Sequence, residues 1–257
     1  MGQWYESISP DFIEWIKKQK IFFVATAPLD GRGCVNTSPK GHDSIRVINS
    51  NQVCYLELSG SGIETQSHLE ENGRITFMFM AFEGGPRIMR LIGTGRVVRL
   101  GCPEFNQLLE DHFQDSDLYD AQGKRAIILA DIRKVGTSCG YAVPYYEYKG
   151  PRPTLVNFFS KKDDAAMDAY WKLKNKFSLD GLPGMRHEMM GPEWVGKNRG
   201  PGEPVMLPSS WMAAEGPMTA SNITAWIKSG TGAANLTILS VGIAIGAGVN
   251  ALINRRR

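Results

Sequence analysis

The sequence predicts a mainly β (α+β) fold, antiparallel strands with flanking helices and a C-terminal apolar helix, on three observations. Between residues 20 and 98, apolar, β-branched and aromatic runs (IFFVAT, VCYLELS, RITFMFMAF, RIMRLIGTGRVV) are separated by short Gly, Pro, Asn and Asp clusters, the pattern of a meandering antiparallel sheet. One helix-like insert, 64–72, interrupts the strands. The run 236–253, LTILSVGIAIGAGVNALI, is uncharged throughout and leads into Asn254 and three arginines.

Taken in order, Ser9 is placed to cap a helix with Pro10 and Asp11 in its first turn. Phe12, Ile13, Trp15 and Ile16 then fall at helical spacing. Residues 21–27 read as a buried strand and 28–31, PLDG, as its turn. Strands are expected at 34–38, 45–48 and 53–58, then the 64–72 helix, then strands at 75–82, 87–98 and 126–135. A second helix spans 103–113, with Phe105, Leu108, Leu109 and His112 on one face. Past residue 135 the chain turns aromatic and rich in turn residues (SCGYAVPYYEYKGPRPTL). Ala166, Tyr170, Leu173 and Phe177 give 162–177 a helical spacing that SLDGLPG ends. The chain thus divides into a sheet domain 1–140, an aromatic-rich helical extension 141–190, a Gly/Pro-rich linker 191–219 and a tail 220–257. No internal repeat is visible.

Composition excludes some functions. With 257 residues and 42% hydrophobic content the chain can bury a full core. Its 29 basic and 26 acidic residues nearly balance, and no basic block interleaves with aromatics, so nucleic acid is not an expected partner. Cys34, Cys54, Cys102 and Cys139 are scattered, and His42, His68, His112 and His187 share no metal-ligand spacing. Free thiols in a reducing compartment and no metal are the expectation. MGQWYES lacks the apolar core of a signal peptide, and Glu6 spoils a myristoylation pattern. The 236–253 run is 18 residues long, about 27 Å as a helix, and its Gly242 and Gly246 form a GxxxG. It reads as a transmembrane tail anchor that leaves the preceding domain on the cytosolic face of an intracellular membrane. The alternative is a soluble terminal helix in a cytoplasmic protein. With that topology the acceptor-like triplets at Asn222 and Asn235 are chance matches.

Motifs for catalysis are sparse. There is no GxSxG elbow, and Gly93-Thr94-Gly95 lacks the third glycine of a dinucleotide loop. That suits a cofactor protein and a non-catalytic one equally. Ser59-Gly60-Ser61-Gly62 leads into the 64–72 helix, where a Gly/Ser loop presents free N–H groups to an anion; the plainer reading is a helix-capping turn. His68 reads as a cofactor neighbour or as a core or solvated histidine. Cys139 is a reactive thiol or a buried small hydrophobe. Tyr141, Tyr145, Tyr146 and Tyr148 line a planar ligand or belong to a core. Lys172, Lys174 and Lys176, near Lys161 and Lys162, form a solvated face before they form an anion site.

The strand order and these residues resemble the pyridoxamine 5'-phosphate oxidase-like family across about residues 10 to 140. That resemblance implies a split β-barrel holding FMN at a homodimer interface. In the family's terms Lys40 closes the first flavin segment, and Glu71-Asn72-Gly73-Arg74 stands for the turn after the helix. Three family groups are replaced: the arginine opening the first segment falls at Val35, the phosphate-gripping Arg-Lys pair near Glu64-Thr65, and a flavin-contacting glutamine near Ile88. Losing cations and gaining Glu64 weakens the hold on a phosphate. The residues of this sequence that could compensate form a cradle of Ser38, Lys40, Ser59, Gly60, Ser61, Gly62 and Thr65, finished by Arg87 or Arg90, with catalytic residues unassigned. SCGYAVP and KNKFSLDGLPG resemble an uncharacterised branch of the same superfamily. The expected function is an FMN-dependent oxidoreductase acting as a homodimer on a small molecule, other than pyridoxamine phosphate oxidation itself. The alternatives are a non-catalytic flavin- or haem-binding barrel and a membrane-tethered interaction protein.

Overall fold

A computed structural model describes residues 2–185. Eight strands form one antiparallel sheet: β1 (Gln3–Tyr5), β2 (Phe22–Thr26), β3 (Asn36–Lys40), β4 (Ile45–Asn49), β5 (Gln52–Leu58), β6 (Arg74–Met80), β7 (Ile88–Arg99) and β8 (Lys124–Ser138). Five helices flank it: α1 (Pro10–Lys18), α2 (Glu64–Asn72), α3 (Pro103–Phe113), α4 (Thr154–Phe159) and α5 (Asp164–Lys174). The order across the sheet is β3-β2-β6-β7-β8-β5-β4, with β1 paired to β8 off this path. The two ends of the path, β3 and β4, are consecutive in the chain and separated only by residues 41–44. A connection that short spans at most about 18 Å, so the sheet must curl until its edges approach, although no ladder among the described residues zips them. The result is an open, split barrel.

Glycine and bulges make the curl possible. The β7–β8 register shifts between Ile92 and Gly93, where a Cβ on Gly93 would sit 2.1 Å from the Asp131 carbonyl oxygen. Only glycine allows strands to approach so closely. Inside the barrel Val24, Val53, Tyr55, Phe77, Met89, Leu91 and Ile128 form the core. On the opposite face of β5 and β8, Cys54, Leu56, Ile127 and Leu129 meet Phe105 and Phe113 of α3. β5 is thus buried on both faces, its odd-numbered residues facing inward. Pro39, which cannot donate to a ladder, lies on edge strand β3.

Several expectations are corrected. β1 was not expected, because its three residues are all exposed and give no periodic signal. β8 runs well past 126–135 at both ends, its far end pairing with β1 at Val135, Gly136 and Thr137. α4 was missed. α5 is shorter than 162–177, and its buried residue is Met167, while Leu173 and Phe177, placed on the buried face by spacing, are exposed. Ser9 holds the N-cap position of α1 but its hydroxyl donates to Asp11 rather than accepting from the backbone. Among the described residues no helix is long and apolar enough to cross a membrane; the 236–253 run, the linker and His187 lie outside the described residues.

Candidate functional site

Parity along β5 sets up the site. Val53 and Tyr55 point into the barrel, and Glu57, the next inward residue, is 1% exposed. Its partner comes from a bulge. β5 and β8 pair Glu57 with Ala126 and Leu58 with Lys124, leaving Arg125 as the extra residue. A bulge re-aims its side chain, and Arg125, which by alternation belongs with Ile127 and Leu129 on the α3 side, instead donates from Nε to Glu57 Oε2 at 3.3 Å. Its Nη1 donates to the Gly62 carbonyl at 2.8 Å. Gln66 Nε2 donates to the same Glu57 oxygen at 2.6 Å. Lys40 Nζ lies 3.9 Å from Glu57 Oε1 and over the Tyr55 ring.

The charges adjust one another. Burial works to raise the Glu57 pKa, but Arg125, then Lys40 and the Gln66 hydrogen bond, hold it below the usual carboxylate value. Burial lowers the Lys40 pKa, and Glu57 opposes the loss of its proton. The Tyr55 phenol is pushed well above its ordinary value by burial and by Glu57.

Above this network is a cavity of about 400 Å³, within the range of ~300–1,000 Å³ common for ligand sites. All seven residues of the expected cradle line it: Ser38 and Lys40 from β3, Ser59, Gly60, Ser61 and Gly62 from the loop after β5, and Thr65 from α2. Neither Arg87 nor Arg90 does, which corrects the expectation that one of them completes it. The loop leads to α2, whose N-cap, Ile63, offers no side-chain oxygen, so first-turn N–H groups stay free for an anion. Glu64 also lines the cavity, but its Oε1 accepts from the Leu179 N–H at 3.1 Å. Val35 is 74% exposed and supplies nothing there.

The extension reaches the same loop. Trp171 Nε1 donates to Ser59 Oγ at 2.7 Å, and Asn175 Nδ2 to the Gly60 carbonyl at 2.9 Å. His68 is fully buried, under the cavity and not in its lining. Asn36 donates to both Thr26 Oγ1 and Thr65 Oγ1, each at 3.1 Å. Thr26 Oγ1 also lies within hydrogen-bond distance, 3.0 Å, of His68 Nδ1. Burial lowers the His68 pKa. Cys139 is exposed, so the buried reading of that thiol is wrong. Tyr141, Tyr145, Tyr146 and Tyr148 are likewise exposed rather than core. Lys172 pairs with Asp168 on the surface of α5. No cluster able to hold a metal occurs among the described residues.

Sequence reasoning missed Glu57, Gln66, Arg125 and His42. Glu57 was visible as an acid on the inward parity of an otherwise apolar strand. Arg125 was not, because its orientation depends on the bulge. His42 lines the cavity at the β3–β4 connection and is the non-glycine with positive φ, 57°, among the described residues.

Known proteins bear likenesses to this chain. No protein-family model matches it. The pyridoxamine 5'-phosphate oxidase family protein UstO of Aspergillus flavus is 37% identical over 204 residues, 74% of this chain and 80% of the relative. Among solved structures, HupZ from Group A Streptococcus aligns at a TM-score of 0.39 and 20% identity, over 50% of this chain and 91% of that one. An FMN-binding protein from Syntrophomonas wolfei aligns at 0.36 and 11%, over 48% and 80%. HutZ, a haem storage protein from Vibrio cholerae, aligns at 0.35 and 15%, over 49% and 89%.

Proposed function

This chain belongs to the pyridoxamine 5'-phosphate oxidase family, and from that premise we propose that it is a flavoprotein. FMN occupies the cavity between β3 and the start of α2, and the protein acts as an oxidoreductase on a small organic molecule. One observation carries the reading: the lysine ending an edge strand and a Gly/Ser loop opening a helix line the same cavity. The donor set fits a phosphate. Lys40 supplies a cation, α2 its free first-turn N–H groups, and Ser59, Ser61 and Thr65 hydroxyls. When bound, FMN supplies hydride or electron transfer. The chain's own residues bind and orient: Glu57 opposes the loss of the Lys40 proton that burial favours, and Asn175 and Arg125 fix the loop through the Gly60 and Gly62 carbonyls.

A second reading, a barrel that holds flavin or haem without turnover, is favoured by the way Arg125 spends Nε and Nη1 inside the protein. The visible spectrum of the purified full-length chain identifies the cofactor: flavin bands support FMN and fit either reading, a haem Soret band favours the second, and a colourless protein that takes up no FMN sinks the cofactor site. Removing the Lys40 charge costs about 1.5–3 kcal/mol, roughly ten- to a hundredfold in FMN affinity. Titration of Lys40→Ala and Ser61→Ala measures this, and unchanged binding in both moves the site elsewhere. The active form is proposed to be a homodimer, tethered by the 236–253 run to the cytosolic face of an intracellular membrane.

A further inference from the structure

Spacing marks Ala166, Tyr170, Leu173 and Phe177 as one apolar stripe, yet the residue that α5 buries is Met167. The far end of the stripe is left to solvent: Leu173 is 75% exposed and Phe177, just past the helix, 44%. On α4, Phe158 is 50% exposed while Phe159 beside it is buried. The Phe158 and Tyr170 rings meet edge to face with centroids 6.1 Å apart, so the two helices carry one apolar face. Scattered singly, such residues need no explanation; gathered on one face, they mark an interaction surface.

Lysines attend this face. Lys162 Nζ lies 4.8 Å from the centre of the Phe158 ring and 5.8 Å from that of Tyr170, and Lys176 Nζ 5.6 Å from that of Phe177. From residue 161 to 177 the chain carries five lysines against three aspartates. Two of the aspartates are committed within α5: Asp163 caps it by accepting from the Ala166 N–H, and Asp168 pairs with Lys172. Lys161, Lys162 and Lys174 have no carboxylate within ion-pair distance among the described residues. The face therefore joins exposed rings to cations whose charge the fold does not neutralise, and its complement is an anionic surface.

We propose that the α4–α5 face docks on the surface of an anionic lipid membrane. Aromatic rings beside lysines are the combination that sits at headgroup level, the rings at the apolar boundary and the cations against the anionic headgroups. A fluid surface also suits a ridge. Side chains half to three-quarters exposed stand out from the fold, whereas a peptide partner enters a groove or pairs along a sheet edge. The face borders the cavity described above: Leu155 of α4 is exposed and also lines that cavity, and Trp171 of α5 holds its loop through Ser59. Docking brings the cavity mouth to the lipid. It rests neither on the flavin reading nor on the 236–253 run.

The test floats the full-length protein with vesicles of phosphatidylcholine alone and of phosphatidylcholine mixed with phosphatidylserine, at low and high salt. Lys161, Leu173 and Lys174 are exposed, so Lys161→Glu/Lys174→Glu and Leu173→Ser should fold normally. Expected is partition about tenfold tighter onto the serine-lipid vesicles at low salt, most of it lost at high salt and in the charge-reversed variant. Leu173→Ser should lose several-fold. Equal partition onto the two compositions overturns the proposal. Any pull of the terminal arginines on anionic lipid survives both variants, so a preference that either variant keeps in full overturns it too. Labelled decaglutamate that binds the native chain but not the charge-reversed variant, with no preference between the vesicles, overturns it by making the face an acidic protein's site. A dimer in light scattering that Leu173→Ser splits overturns it by making the face a contact between copies.

Discussion

Replacing Arg125 with methionine isolates the charge network under the cavity. The Glu57 and Arg125 side chains are 1% and 4% exposed, and breaking such a buried pair from one side costs about 3–5 kcal/mol. Lys40 at 3.9 Å and Gln66 at 2.6 Å remain on Glu57, so the loss should fall near the lower end, about 3 kcal/mol. A folding free energy of about 5–15 kcal/mol can absorb that. In the native chain the Glu57 pKa is lowered from 4.5, so its contribution to stability is present above pH 4.5 and lost as pH falls through the lowered value. Without Arg125 burial dominates and the pKa rises above its ordinary value, so the cost of keeping Glu57 ionised grows with pH. The variant's deficit should be larger at pH 8 than at pH 5, measured by urea unfolding followed by tryptophan fluorescence. Glu57→Gln/Arg125→Met, which removes the stranded charge, should recover most of the loss. A deficit equal at both pH values, with a double variant no more stable than the single one, would refute the network.

The other expectations are simpler to test. Trp171→Phe removes the indole donor to Ser59 and should cost about 0.5–1.5 kcal/mol; a drop of a few fold in FMN affinity should accompany it, and unchanged values of both count against the extension's role at the loop. A chain ending near residue 217 should scatter light as a dimer, because the open barrel edge is proposed to be covered by a second subunit; a flavin-loaded monomer refutes that. Full-length protein should resist carbonate extraction while a chain truncated before Ala233 goes to the supernatant, and full-length protein that washes off removes the anchor.

Strand succession was legible because the barrel's strands are mostly buried on one face, so their residues alternate or run apolar between turn clusters. The two central helices were legible to the residue: Pro103 and the turn before it mark the start of α3, and Gly73 at φ 70° ends α2. β1 was invisible, since three exposed residues gain their structure wholly from pairing with β8. α5 was misjudged because the tertiary contact that decides its buried face is made by Met167, off the stripe that spacing suggested. At the site, Lys40 was legible from the family resemblance and the Ser59–Gly62 loop from its Gly/Ser composition ahead of a helix. The groups holding them in place were not: the direction of Arg125 is set by a register shift between strands almost seventy residues apart, which local sequence cannot report.

The extension is part of the site rather than an appendage to the barrel. The loop 59–62 is rich in glycine and so entropically costly to hold still, and three later residues, two of them more than a hundred positions away, hold it. Asn175 takes the Gly60 carbonyl, Arg125 the Gly62 carbonyl and Trp171 the Ser59 hydroxyl. Gly184 lets the hairpin after α5 come this close, for a Cβ there would lie 2.3 Å from the Asn175 carbonyl oxygen. In a planar trans peptide the C=O and the next N–H point in opposite directions. With the Gly60 carbonyl turned to Asn175, the Ser61 N–H is turned away from it. On the proposed flavin reading, Glu64 and Thr65 stand where family resemblance places a phosphate-gripping Arg-Lys pair, and the backbone donors held by this clamp would take its place. An anion held by oriented N–H groups and one lysine needs that clamp more than it needs a second free cation.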